Sequence, residues 1–288
     1  MKTKPSFLVP DKQSPQIARE RTTHIGIGAH PDDLEIMALH GILNCYGSRD
    51  QWFGGITCST GAGSIRQGEM SGINIDELTL MRRKEQDEAA RIGRYSFIAQ
   101  LGLESAEIHQ VHPNPLIPLL LPILQQCRPE IVYTHNPADK HPTHIAVLKA
   151  VLQTLRMLPK DHRPKRLLGC EVWRNLDWVS DDQKIVLDIV DPEQLATRLI
   201  SVYQSQIAAG KHYDKAIEGR RRANVTFFQS LSQDAAEQAI YAIDMTSLLE
   251  SNHMSLADFI SPYLDHFKNE VLSSLEKTAH LPTQTTGE

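Results

Sequence analysis

Cysteine is sparse in this chain of 288 residues, and the four present, Cys45, Cys58, Cys127 and Cys170, form no C-x-x-C pair. That excludes a disulfide framework or zinc knuckle as an organising feature; reduced, mostly buried thiols are expected. Neither sign of charge is in large excess. A net charge of -5 removes the electrostatic case for nucleic acid or an anionic membrane as the main partner. No apolar run reaches the length of a membrane span. Residues 1–22 lack the apolar stretch of a signal peptide and read as a mobile arm of a cytoplasmic protein. Repeats, low-complexity tracts and linkers are also missing. One domain is therefore expected over residues 23–275, with a flexible tail over 276–288.

What is present is an ordinary globular composition, 41% hydrophobic and 23% charged, long enough for a sizeable core. Strand-like and helical runs alternate. "HIGIGA", "WFGGITCS", "YSFIAQLG" and "PEIVYTHN" read as strands, and "LLGCEVWRNL" and "KIVLDIV" as two more. Between them, "DLEIMALHGILNCYG" reads as one helix stopping at Gly47, and "DELTLMRRKEQDEAARIG" as another ending at Gly93. "LIPLLLPILQQC" and "THIAVLKAVLQTLRML" are helical, and "GAGSIRQGEMSG" is a loop. Asp191-Pro192 is expected to open a helix as N-cap and first turn, and further helices are expected near 233–249 and 255–275. This order predicts an α/β fold: a Rossmann-like, mainly parallel sheet flanked by helices on both faces, with a less regular C-terminal part.

In such sheets, sites form beyond the carboxyl ends of the strands. Two motifs lie there. The first is "GIGAHPDD". Its Gly26-x-Gly28 invites a dinucleotide reading, but Pro31 stands where a third glycine is needed, and "GAGSIRQG" lacks the Lys-Ser/Thr of a P-loop. His30 and Asp33, three apart across a strand-to-helix turn, can converge, whereas Asp32 projects differently. Taken alone, this motif reads as a capped helix start. The second motif, "THNPADKHPTHIAV", supplies His135, Asp139, His141 and His144. Pro142 suits a first helical turn, so His141 and His144 project from one helix N-terminus. A plain polar loop is the competing reading.

Convergence of the two motifs would join imidazoles and a carboxylate, with spare acid and base groups beside them. Two nitrogens and one oxygen are a usual catalytic zinc shell that leaves a fourth position for water, whose pKa falls to about 7. A free carboxylate can then act as general base, and a non-ligating histidine can hold a developing oxyanion. A cation would also offset the repulsion between Asp32 and Asp33.

"AHPDD" followed by a distant H-P-x-H resembles the PIG-L/LmbE-like family of zinc-dependent N-acetylglucosaminyl deacetylases, in motif order over roughly residues 23–230. The resemblance implies one zinc per chain held by His30, Asp33 and His144. It implies Asp32 as general base activating a zinc-bound water, and His141 as oxyanion stabiliser or proton donor to the leaving amine. Asp139 is read as a carboxylate behind the ligands. "RRKEQDEAARIG" resembles the family's R-x-x-E helix, which makes Arg82 a substrate-binding candidate and Glu85 its neighbour; a solvated charged face is the alternative. Ser205-Gln206 resembles a recurring structural pair. Arg220, Arg221 and Arg222 read as a solvated run, and His109 and His112 as loop residues at the rim. The sequence departs from the family at Thr143, where aspartate is common, and at Thr60; neither is an assigned ligand or base. The expected partner is a small N-acetylated amino sugar, without nucleic acid or membrane, and a homo-oligomer is compatible with the sequence. A metal-dependent amidase or esterase on a non-sugar acyl substrate uses identical chemistry. A non-catalytic sugar-binding relative is disfavoured, because all five residues are present.

Overall fold

The computed structural model describes residues 4–63, 70–110, 113–191, 194–228, 231 and 233–279. Its strand-like runs line up in one sheet. The strands are β1 (Ser6–Leu8), β2 (His24–Gly28), β3 (Phe53–Ser59), β4 (Phe97–Leu103), β5 (Ile131–His135), β6 (Arg166–Cys170), β7 (Ile185–Asp188) and β8 (Ala239–Asp244). In space they run β1-β4-β3-β2-β5-β6-β8-β7. Strands β4, β3, β2, β5 and β6 are parallel; β1 pairs antiparallel with β4 at one edge, and at the other β8 pairs antiparallel with both β6 and β7.

Helices cover both faces. The described residues form α1 (Pro15–Glu20), α2 (Asp33–Met37), α3 (Leu39–Cys45), α4 (Ile75–Ile92), α5 (Ser105–Ile108), α6 (Ile117–Cys127) and α7 (Pro142–Met157). They continue with α8 (Leu195–Ile200), α9 (Gln204–Ile207), α10 (Tyr213–Thr226), α11 (Ser247–Glu250) and α12 (Leu256–Ala279). One core lies under α1, α6, α7 and α11, and a second under α2, α3, α4 and α8. This is the expected α/β architecture.

The glycine pair of β2 serves packing. Ile25 and Ile27 enter the core on the α7 side, while Gly26 and Gly28 face α2. A Cβ on Gly26 would meet Phe53 Cζ at 2.8 Å, and one on Gly28 would meet Asp33 Cβ at 2.8 Å. Absent side chains therefore let α2, and Asp33 with it, sit directly on the strand.

Several expectations are corrected. Residues 6–20, read as part of an arm, form β1 and α1. Phe7 stacks on Phe97 of β4 with centroids 4.9 Å apart, and the Ser14 hydroxyl caps α1. The segment 33–47 is two short helices, broken at Ala38. The segment 233–249, expected as one helix, instead holds strand β8 and the start of the short helix α11. Its Ile240 and Ala242 enter one core and Tyr241 and Ile243 the other. A short apolar run buried on both faces carries no periodicity that separates strand from helix. The helix after Asp191 begins at Leu195, and Asp191 Oδ1 accepts the Ala196 N–H at 3.0 Å. Pro192 lies outside the described residues, as do residues 64–69 of the glycine-rich loop.

The sheet order fixes where a site can form. From β2 the chain winds outward through β3 and β4, then returns to place β5 on the other side of β2. The crevice beyond the carboxyl ends of β2 and β5 is thus the topological switch point, the usual ligand position in open α/β sheets. Both histidine-bearing motifs leave the sheet there.

Candidate metal centre and its pocket

β2 delivers His30, Asp32 and Asp33; β5 and the start of α7 deliver His135, Asp139, His141 and His144. The two sets meet. His30 Nδ1 lies 3.1 Å from His144 Nε2 and 3.4 Å from Asp33 Oδ2, and His144 Nε2 lies 3.5 Å from the same carboxylate oxygen. Tetrahedral ligands at zinc distances of 2.0–2.1 Å are separated by about 3.3–3.4 Å, so this triangle matches a single-ion site. Asp33 and His144 are buried, and His30 is half-buried toward the pocket.

Charge explains why these groups tolerate each other. Burial pushes the Asp33 carboxyl up, but His144, His30 and His135 outweigh it and hold it well below the usual range. Burial pushes His144 down, but Asp33 and Asp139 outweigh it and raise its pKa. The His30 N–H also donates to Asp33 Oδ2 at 2.7 Å, which fixes that carboxylate in the turn.

Asp139 connects the histidines to the pocket rim. Its Oδ1 accepts the His141 N–H at 2.8 Å, and its Oδ2 accepts the Trp173 N–H at 3.2 Å and lies 3.3 Å from His144 Nδ1. Contact at Nδ1 leaves the Nε2 lone pair of His144 facing the cluster, the arrangement usual behind a metal-ligating histidine. His141 is the N-cap of α7, and its Nδ1 accepts the Thr143 N–H at 3.3 Å. The proton of its neutral ring therefore sits on Nε2. Burial, with His30 and His144 nearby, pushes its pKa down to about 4, so the ring is neutral near pH 7.

His135 belongs to the cluster without the geometry of a ligand. It stacks on His144 with centroids 3.9 Å apart, and its Nε2 is 3.5 Å from Asp33 Oδ2. That nitrogen, however, accepts the Ala29 N–H at 2.9 Å, so its lone pair is already used. The sequence shows His135 at a strand end but not this occupied nitrogen.

Asp32 sits apart from the triangle, at φ 92° and ψ -26°, in the left-handed region that L-residues rarely adopt. Its side chain caps nothing. Burial and the Asp33 charge raise its pKa well above the usual carboxylate range, against the opposing Arg82. Backbone strain of this kind at a cleft is a mark of a functional position.

The cluster floors a pocket of about 460 Å³, lined also by Asp32, Arg82, Trp173, Tyr213 and Arg220. Arg82 is buried and donates to the Gly61 carbonyl, so it is no solvated face. Glu85 accepts both the N–H and the hydroxyl of Ser205, at 2.7 and 2.6 Å. The arginine run divides: Arg220 reaches the pocket, Arg221 is buried on Gln238, and Arg222 is exposed beside Glu218. His109 Nε2 lies 3.1 Å from the Thr143 hydroxyl, behind the α7 N-terminus, while His112 lies outside the described residues. Trp173 and Tyr213 carry no sequence signal for a pocket role; only the folded chain brings Trp173 beside His141 and Tyr213 against Trp173.

Comparison with solved structures shows the same fold. N,N'-diacetylchitobiose deacetylase from Pyrococcus horikoshii superposes with a TM-score of 0.60 at 16% identity, over 84% of this chain and 90% of its own. The 4-carboxy-2-hydroxymuconate hydratase GalB from Pseudomonas putida gives 0.57 at 15% identity, over 78% and 96%. A teicoplanin deacetylase in its zinc-inhibited form gives 0.54 at 14% identity, over 77% and 98%. No curated protein matches the sequence significantly. Residues 25–155, which run from within β2 to within α7 and include every residue of the triangle, match the family described as "PIG-L: GlcNAc-PI de-N-acetylase".

Proposed function

We propose that the protein is a zinc-dependent N-deacetylase acting on an N-acetylglucosaminyl-type amino sugar or its conjugate. The observation that carries this reading is the triangle of His30 Nδ1, Asp33 Oδ2 and His144 Nε2, with edges of 3.1, 3.4 and 3.5 Å. Those three residues would hold the zinc, which when bound supplies Lewis acidity and a water of pKa about 7.

The remaining chemistry belongs to the chain. Asp32 takes a proton from the attacking water as the carbonyl carbon is attacked. Burial and the neighbouring Asp33 charge raise its pKa, which makes it a stronger base than an ordinary carboxylate. His141, neutral with its proton on Nε2, donates a hydrogen bond to the developing oxyanion. Asp32 then returns the proton to the departing nitrogen, and acetate and a free amine leave. Arg82 would bind the substrate beside Asp32, and Asp139 would keep His144 and His141 oriented. The proposed location is cytoplasmic and the proposed partner a small N-acetylated amino sugar; among the described residues no helix is long and apolar enough to cross a membrane.

One observation favours a second reading. Arg82 and Arg220 both line the pocket, and paired guanidiniums suit carboxylates. A similarly folded protein is a 4-carboxy-2-hydroxymuconate hydratase. In that reading the water activated by Asp32 adds to a carbon–carbon double bond.

The test is amine release from a panel of N-acetylglucosaminyl compounds, with and without a chelator, on metal-analysed protein. Zinc is titrated upward from below one per chain, because one similarly folded deacetylase is described as zinc-inhibited. Chelator-sensitive amine release supports the deacetylase. Consumption of an unsaturated dicarboxylate, without amine release from any sugar, supports the hydratase and overturns it.

A further inference from the structure

Beneath the site lies a buried carboxylate that the mechanism above does not use. Glu35 is 1% exposed and, among the described residues, forms no ion pair. Its Oε1 accepts the Tyr95 hydroxyl at 2.7 Å and the Gln86 Nε2–H at 3.0 Å, and its Oε2 accepts the Tyr203 hydroxyl at 2.6 Å. Gln86 is fully buried on α4, and its Oε1 accepts the N–H of Asp32 at 3.4 Å. Thus a chain of hydrogen bonds runs from two tyrosines through Glu35 and Gln86 to the backbone of Asp32.

The direction of that chain matters. A glutamine amide can present either its oxygen or its NH2 to a neighbour. Glu35 Oε1 accepts from both Tyr95 and Gln86, so Gln86 turns its NH2 inward and its oxygen toward Asp32. With the amide reversed, two donors would face each other at Asp32 N–H. The turn is also gripped on its other side, where Gln206 Nε2–H donates to the Pro31 carbonyl at 3.0 Å. Both grips are needed where the chain occupies a left-handed conformation at a non-glycine residue.

We propose that Glu35 is a positioning residue: through Gln86 it holds Asp32 in its left-handed turn and so aims the Asp32 carboxylate into the pocket, without touching substrate. Its effect on turnover rests on the reading of Asp32 as general base; its effect on the turn does not.

The test compares wild type with Glu35→Ala, Gln86→Leu and Glu35→Gln. Four quantities are measured: bound zinc per chain, kcat and KM on an N-acetylglucosaminyl compound, and hydrogen exchange at the Asp32 amide. Glu35→Ala and Gln86→Leu are expected to lower kcat at least tenfold, with KM and zinc content within twofold of wild type, and to speed exchange at Asp32. Glu35→Gln is expected to restore kcat to within threefold and protection to the wild-type level. Its amide oxygen can accept from Gln86 while its NH2 donates to the Tyr203 oxygen, since a tyrosine hydroxyl can also accept. Unchanged kcat in both Glu35→Ala and Gln86→Leu overturns the proposal, as does equal loss in Glu35→Gln. Should both disruptive variants fail to fold, an unprotected Asp32 amide in folded wild type overturns it, and protection shared by wild type and Glu35→Gln supports it. If wild type releases no amine, the deacetylase reading fails alone, and the exchange measurements still decide whether the relay holds the turn.

Discussion

Replacing Asp139 by Asn separates the metal centre from its support, and its size can be worked out from the contacts. The carboxylate accepts the His141 N–H at 2.8 Å and the Trp173 N–H at 3.2 Å, and it faces His144 Nδ1 at 3.3 Å. An amide keeps one acceptor oxygen. If that oxygen stays on His141, the NH2 group is turned toward two donors. Hydrogen bonds to charged groups are worth about 1.5–3 kcal/mol each, so the metal-free variant should lose roughly that much stability. Loss of the carboxylate behind a ligating histidine typically weakens metal binding 10–100-fold, which is about 1.4–2.7 kcal/mol at 1.36 kcal/mol per decade. The pH dependence has a defined sign. Burial pushes the Asp139 pKa up, but His144 and the His141 N–H outweigh it, so the folded value is depressed. Its stabilisation is therefore present above the unfolded value of about 3.9 and is lost as pH falls through the folded one. Urea titration of metal-free wild type and variant at pH 7 and at pH 3 tests the first part, and zinc competition against a chromophoric chelator tests the second. Wild-type zinc affinity in Asp139→Asn would falsify the role given to this carboxylate.

Three further perturbations follow from the same geometry. Asp32→Asn should lower kcat by about 10²–10⁴-fold, the usual worth of a general base, while zinc content stays at one per chain; turnover within threefold of wild type contradicts the assignment. Gly28→Ala places a Cβ 2.8 Å from Asp33 Cβ. Overpacking of this kind costs about 1–3 kcal/mol, and zinc affinity should fall with stability in thermal melts and metal titrations. Burial raises the pKa of Glu171, with Arg220 and Asn224 opposing. A raised folded pKa gives stability that is full below the unfolded value of about 4.3 and declines as pH rises through the folded one. The stability of wild type relative to Glu171→Gln should therefore fall between pH 4 and pH 8, and a constant difference contradicts this.

The sequence carried the site further than it carried the fold's edges. Apolar runs marked the central strands, and α4 ends at Gly93, where the run of good helix formers stops. Histidines and aspartates at strand ends were legible because they interrupt apolar runs where a sheet protein places ligands. The region after β6 was harder. β8 is buried on both faces and α8 has a short apolar stripe, so local pattern alone could not order them. Glu35, Trp173 and Tyr213 were not legible at all. Glu35 reads as one more charged position of α2, and only packing shows it sealed beneath Asp32 between two tyrosines. Trp173 and Tyr213 lie on separate elements, and their ring centroids come within 6.1 Å only in the folded chain.

The central claim is that one metal ion sits among His30, Asp33 and His144. Its most direct test is anomalous diffraction at the zinc edge from crystals of protein loaded with one equivalent of zinc. The account predicts a single peak about 2.0–2.2 Å from His30 Nδ1, from Asp33 Oδ2 and from His144 Nε2, and none in crystals of His144→Ala. A peak bound instead by His135, or no peak at this cluster, would contradict it.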